Sequence, residues 1–105
     1  MVTKTENVVS NVNRFVNELG EKLKVHAAYI YGSHSRGNPT IWSDIDVAVI
    51  SPDFSEDLFE ERLKLMKMAA NIDDRIEPHP FRVEDSESSN PLASEIQKHG
   101  ILISQ

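Results

Sequence analysis

Residues 32–50 read GSHSRGNPTIWSDIDVAVI, in which a glycine-serine pair is followed by a polar loop, two aspartates and an apolar run. The nearly continuous apolar character of residues 44–50 predicts a strand that is covered on both faces. The preceding residues 25–31 are rich in β-branched and aromatic side chains and stop at Gly32, which predicts another strand that enters a tight turn. The quoted stretch therefore joins two predicted strands.

Helices are predicted on both sides of this pair of strands. Apolar residues recur at steps of three and four over residues 5–23, which predicts an amphipathic helix that Gly20 ends early or tightens. A second helix is predicted over residues 56–70 with Ser55 as its cap, and a short last helix begins at Pro91.

Further strands complete the pattern. Residues 75–83 predict a strand whose two prolines place it at a sheet edge or at its own end, because proline has no amide hydrogen. Residues 84–89 predict an acidic loop, and residues 101–103 a final strand. The resulting order predicts an α/β or α+β fold, a mixed β-sheet backed by helices.

Two side chains at the start of the covered strand suit a cation. Asp44 and Asp46 are two residues apart, and the strand period of two places both carboxylates on one face. Magnesium is commonly bound by a pair of carboxylates together with substrate phosphates. In the loop before them, Gly32 lets the backbone approach a phosphate, Ser33 offers a hydroxyl, and Arg36 is either a phosphate contact or a solvated charge.

The composition limits the classes of function. A length of 105 residues predicts a single domain over residues 1–105. The net charge of -6 argues against nucleic acid as a direct ligand, and the absence of cysteine excludes disulfides and thiolate metal sites. No signal peptide or membrane-spanning run is present, so a cytoplasmic location is expected. A domain of this size buries a smaller fraction of its surface than a larger one, so association with a second copy or with a partner protein could add to its stability.

The spacing of these residues resembles a known family. A Gly-Ser pair, ten intervening residues (34–43) and an Asp-x-Asp motif are similar to the nucleotidyltransferase superfamily related to DNA polymerase β, and within it to the minimal nucleotidyltransferases of HEPN/MNT toxin-antitoxin pairs. The matching positions are Gly32, Ser33, Asp44 and Asp46. The resemblance implies the polymerase β-like nucleotidyltransferase fold over nearly all of the chain.

The resemblance also implies a third acid on a following strand. Glu77 is the best match because it lies inside an apolar strand pattern, whereas its rivals Asp73 and Asp74 look like the turn before that strand. The family often has aspartate here, and a glutamate reaches further. His79 follows Glu77 by two residues and would share its strand face, although the histidines are too scattered to predict zinc.

Roles follow from the resemblance. It implies that Asp44, Asp46 and Glu77 are catalytic and hold magnesium, with two ions expected. Residues of the preceding loop would cradle the triphosphate of ATP, namely Gly32, Ser33, Arg36 and Gly37.

The resemblance implies transfer of AMP from ATP to a hydroxyl of a partner protein, a HEPN-type, all-helical toxin for which this chain would be the antitoxin. One alternative is a non-catalytic antitoxin that masks its partner. Another is nucleotidyl transfer to RNA or to a small molecule, which needs substrate-binding elements that this length seldom provides.

Overall fold

The computed structural model describes residues 4–31, 44–87 and 91–104. No helix in these ranges combines the length and the hydrophobicity needed to cross a bilayer. Along the chain the elements are α1 (Lys4–Gly20), β1 (Ala27–Tyr31), β2 (Ile45–Ile50), α2 (Leu58–Ala70), β3 (Ile76–Phe81), α3 (Val83–Glu87), α4 (Pro91–His99) and β4 (Ile101–Ser104).

The strands form one mixed sheet in the order β3-β2-β1-β4. β1 pairs antiparallel with both β2 and β4, whereas β2 and β3 are parallel. Parallel neighbours need a crossover connection, and α2 lies between these two strands in the chain. β3 is an edge strand, as its two prolines predict. The predicted mixed sheet with helices is confirmed.

The main core lies between one face of the sheet and the helices α1 and α2. α1 buries an apolar stripe at helical spacing, and α2 buries Leu65 and Ala69. Full burial of a valine, leucine, isoleucine or phenylalanine side chain contributes roughly 1.5–3 kcal/mol. The strands supply alternate residues, which is the period expected of a sheet face. The buried core residues are Val8, Val12, Phe15, Val16, Leu19, Ala28, Ile30, Ile45, Val47, Val49, Phe54, Leu65, Ala69 and Ile76.

The opposite face of the sheet is only partly apolar. Ala27, Ala48 and Ile50 are buried there, and α4, which contacts β1, buries Ala93 and Ile96. Toward the start of β2 and β3 the same face carries polar side chains instead. This leaves one end of the sheet free for chemistry.

The start of α2 differs from the sequence prediction. Ser55 as the cap is wrong, because the carboxylate of Asp57 accepts a hydrogen bond from the Glu60 amide at 3.1 Å. Both residue types can cap a helix. In the structure Leu58, which packs against the core, is the first helical residue.

The predicted loop is also wrong over residues 84–87, since Val83–Glu87 form the short helix α3, and residues 88 and 89 lie outside the described residues. The amide of Arg82 donates to the Asp85 carboxylate at 3.4 Å, and the Asp85 amide donates to the Arg82 carbonyl at 3.0 Å. The first of these bonds is one half of a capping box, in which the side chain at the third helical position accepts from the N-cap amide. A helix of this length has too few residues to show an apolar period.

Candidate functional site

The end of β1 and the starts of β2 and β3 lie side by side at one end of the sheet. Tyr31, the last residue of β1, pairs with Asp46 near the start of β2 because these strands are antiparallel. Asp46 also pairs with Glu77 near the start of β3, because those two strands are parallel. Directly paired residues project from the same face of a sheet. Tyr31, Asp46 and Glu77 therefore share the face opposite the main core.

We call Asp46, Glu77 and His79 the strand-end cluster. One ligand atom from each of the three side chains lies within 4.8 Å of the other two. The Nε2 atom of His79 is 3.5 Å from Oδ1 of Asp46, and the two side chains are 28% and 31% exposed. The cluster is thus half-buried and open enough to receive a ligand.

Other predicted site residues have different positions. Asp44 lies one residue before β2, is exposed, and is not a member of the strand-end cluster. Because it precedes the strand, the strand period does not fix the direction of its side chain. The predicted nucleotide-binding residues Gly32, Ser33, Arg36 and Gly37 lie outside the described residues. Tyr31 and Asp44, which flank that segment in the chain, are both at this end of the sheet.

Tyr31 lies beside the strand-end cluster, and the negative charges there affect its pKa. Burial, the negative charge of Asp46 and, more weakly, that of Glu77 raise the pKa of Tyr31 to about 12, against an opposing effect of Arg62. The phenol therefore stays protonated at neutral pH. Its ring meets the ring of His79 edge-on, with centroids 5.8 Å apart and planes inclined by 61°.

A model of the nucleotidyltransferase domain family matches residues 12–103, which include both β1–β2 and the strand-end cluster. The chain belongs to the nucleotidyltransferase domain family. A comparison with curated proteins finds no match to it.

Solved structures agree with this nucleotidyltransferase fold. A Sulfolobus solfataricus protein described as a candidate nucleotidyltransferase has a TM-score of 0.66 and 19% identity, over 93% of this chain and 80% of that one. A toxin-antitoxin structure with AMP-PNP has a TM-score of 0.63 and 23% identity, over 87% of this chain and 71% of that one. At these identities the likeness concerns the fold.

The rival acids of this nucleotidyltransferase domain lie away from the cluster. Asp73 sits in the turn before β3, where its carboxylate accepts hydrogen bonds from the backbone amide and the guanidinium of Arg75 and from the side chain of Asn11. These bonds, led by the one from the Arg75 side chain, lower the pKa of Asp73 to about 2. Asp74 is exposed in the same turn. The structure thus brings Glu77, and neither rival, next to Asp46.

The donor atoms of the strand-end cluster suit a divalent cation. Two carboxylates and an imidazole are oxygen and nitrogen donors that such cations accept. Nε2 of His79 is buried, makes no hydrogen bond to a described residue and faces the Asp46 carboxylate at 3.5 Å, so the two side chains could share an ion. The residues present therefore fit the metal that a nucleotidyltransferase domain requires.

Three residues, one in the cluster and two beside it, received no role from sequence reasoning. The sequence does indicate that His79 shares the strand face of Glu77. Tyr31 could have been found as the last strand residue before the Gly-Ser pair. Arg62, whose Nε atom is buried without a hydrogen-bond partner among the described residues, carries no sequence signal, because it is one charge among several on α2.

Proposed function

We propose that this nucleotidyltransferase domain transfers AMP from ATP to a hydroxyl group of a partner protein, with magnesium as cofactor, and that it is the antitoxin of a HEPN-type toxin. The observation that carries the catalytic part is the convergence of Asp46 and Glu77 at the end of the sheet where the β1–β2 connection is attached. Family membership supports the reaction class.

The chemistry assigns a task to each acid. Asp46 and Glu77, together with Asp44, would hold the cation. A bound divalent cation neutralises phosphate charge and stabilises both the attacking and the leaving oxygen. In the proposal, the Glu77 carboxylate also accepts the proton of the acceptor hydroxyl, which the substrate would bring within hydrogen-bond reach.

The proposed step exchanges one phosphorus-oxygen bond for another. The acceptor oxygen forms a bond to the α-phosphorus of ATP while the bond from that phosphorus to the bridging oxygen of the β-phosphate breaks. Pyrophosphate leaves, and the hydroxyl proton passes to a carboxylate. In the proposal, Gly32, Ser33, Arg36 and Gly37 bind the triphosphate during this step.

A surface on α2 supports the existence of a partner. Phe59, Leu63 and Met66 follow one another at helical spacing on one side of α2, and they are 72%, 39% and 41% exposed. Exposed apolar residues that form a row are typical of protein contact surfaces. The toxin-antitoxin neighbour supports the kind of partner proposed.

The same surface favours a second candidate function, a non-catalytic antitoxin that masks its toxin by binding alone. Masking would need the α2 row and not the carboxylates. Comparing the Asp46→Ala variant with a Phe59→Ser variant separates the two functions. Catalysis predicts that Asp46→Ala keeps the complex but loses neutralisation, whereas masking predicts that only Phe59→Ser loses it.

Mass spectrometry tests the proposed reaction directly. The purified protein, ATP and magnesium are incubated with a HEPN-type toxin encoded beside it, and the toxin is expected to gain the mass of one AMP. Peptide mapping should then place the modification on a hydroxyl side chain. An unchanged toxin mass, with the wild-type domain folded, would refute protein adenylylation.

A further inference from the structure

We propose that His79 binds the catalytic cation directly, and that this gives the site a preference for manganese-class cations over magnesium. The inference rests on the proposed metal-dependent function and deepens it by adding a ligand to the cation site and an order of ion affinities. It concerns a nitrogen ligand beside the carboxylates, which the sequence pattern of the family does not include.

The first support is the position of His79 on β3. His79 follows Glu77 by two residues, so the strand period puts both side chains on one face. Its register partner on β2 is Ala48, whose small side chain leaves the imidazole room beside Asp46. The backbone register therefore brings the imidazole toward both carboxylates.

The second support is the state of the Nε2 atom. It is buried, yet it makes no hydrogen bond to any described residue. Its distance of 3.5 Å from Oδ1 of Asp46 exceeds the 2.7–3.2 Å range of ordinary N–H···O bonds. A buried nitrogen that makes no hydrogen bond is costly, and a bound cation would relieve that cost.

The third support is the spacing of the donor atoms. Around an octahedral ion with bonds of about 2.1 Å, neighbouring donor atoms are about 3 Å apart and opposite ones about 4.2 Å apart. The donor atoms of the strand-end cluster lie within 4.8 Å of one another. Small side-chain rotations, without movement of the strands, would bring them to these distances.

Tyr31 holds the imidazole in place for this role. Its ring packs edge-on against His79, an arrangement that aromatic pairs favour. A ring held by packing loses less conformational entropy when its nitrogen binds an ion. The contact thus prepares His79 for ligation.

The preference follows from donor chemistry. Carboxylate oxygens bind magnesium and manganese alike, whereas an imidazole nitrogen suits first-row transition ions better than magnesium. A site with two carboxylates and one imidazole should therefore bind Mn²⁺ more tightly than Mg²⁺. Removal of the imidazole should erase most of this difference.

Calorimetric titration of the full chain with MnCl2 and with MgCl2 measures the preference. We expect the wild type to bind Mn²⁺ at least about tenfold more tightly than Mg²⁺. His79→Gln should bind Mn²⁺ about tenfold or more weakly, because loss of a direct ligand should cost at least as much as loss of an outer-shell partner. The Mg²⁺ affinity of this variant should change little. His99→Gln, at an exposed histidine of α4, is the matched control and should behave as the wild type.

Pulsed electron paramagnetic resonance of the bound Mn²⁺ adds a readout that only direct ligation gives. The wild type should show coupling of the ion to a ¹⁴N nucleus, and His79→Gln should lose this coupling while it still binds Mn²⁺. Absence of nitrogen coupling in the wild type, or equal preference in the wild type and His79→Gln, would overturn the proposal.

The same experiments separate this inference from the proposed function. If AMP transfer fails although Mn²⁺ is bound with nitrogen coupling, the proposed function is wrong and the role of His79 stands. If transfer proceeds and no nitrogen coupling is seen, the role of His79 is wrong and the proposed function stands.

Discussion

Replacement of Glu77 by glutamine is expected to stabilise the metal-free protein. Carboxylate oxygens of Asp46 and Glu77 lie no more than 4.8 Å apart. Two unit charges at that separation repel by about 1 kcal/mol in water and by about 3.5 kcal/mol at an effective dielectric constant of about 20. Both groups are partly exposed, so we expect the lower figure, a gain of about 1 kcal/mol.

Thermal unfolding in EDTA and in excess divalent cation measures this effect. A gain of about 1 kcal/mol raises the Tm of a domain of this size by about 4–8 °C. Added cation should reverse the order, since the wild type gains stability by binding it and Glu77→Gln binds it less.

Glu21→Gln, at an exposed glutamate after α1, is the matched control for loss of one negative charge. It should change the Tm little in either condition. The reasoning is refuted if Glu77→Gln lowers the Tm in EDTA, or raises it no more than the control does, because the two carboxylates would then not face each other.

Two further predictions concern Asp73, which lies away from the strand-end cluster, and Tyr31, which lies beside it. Asp73→Asn should lower the unfolding free energy by about 2 kcal/mol at pH 7, because hydrogen bonds from Arg75 hold the pKa of Asp73 at about 2. The stabilisation from the Asp73 carboxylate is present above its unfolded pKa near 4 and is lost as the pH falls through about 2. Urea unfolding should therefore show that Asp73→Asn is less stable than the wild type at pH 7 and that the difference shrinks at acid pH. A difference independent of pH would contradict this prediction. The Tyr29→Phe variant leaves Tyr31 as the one tyrosine of the chain, and an absorbance titration of this variant should find the pKa of Tyr31 near 12. Adding Asp46→Asn should lower that pKa. A transition near 10 in the folded protein would contradict the placement of Tyr31 beside the Asp46 carboxylate.

Much of the fold can be predicted from the sequence because its signals are local. The apolar run of β2 announces a covered strand, and the structure places β2 between two neighbours with its hydrophobic residues buried. The prolines of β3 exclude it from the centre of a sheet. α3 and the cap of α2 were missed because short helices lack periodicity and because Ser55 and Asp57 offer the same chemistry.

The site is less accessible to sequence reasoning because it depends on register. Asp46 and Glu77 meet only because β2 and β3 run parallel with those two residues paired. A shift of one residue would turn Glu77 to the core face. The imidazole of His79 against the Tyr31 ring, and the effect of Arg62 on that tyrosine, follow from side-chain packing that no spacing encodes.

Binding of a nucleotide tests the central claim most directly. Calorimetry with α,β-methylene ATP, whose α–β bridge cannot be cleaved, should be run with divalent cation and with EDTA, for the wild type and for Asp46→Asn. We predict binding by the wild type with cation, and affinity at least about tenfold weaker in EDTA or in Asp46→Asn, since each removes charge neutralisation of the triphosphate. Equal affinity in all of these conditions would contradict the claim that a cation held by Asp46 and Glu77 binds the nucleotide.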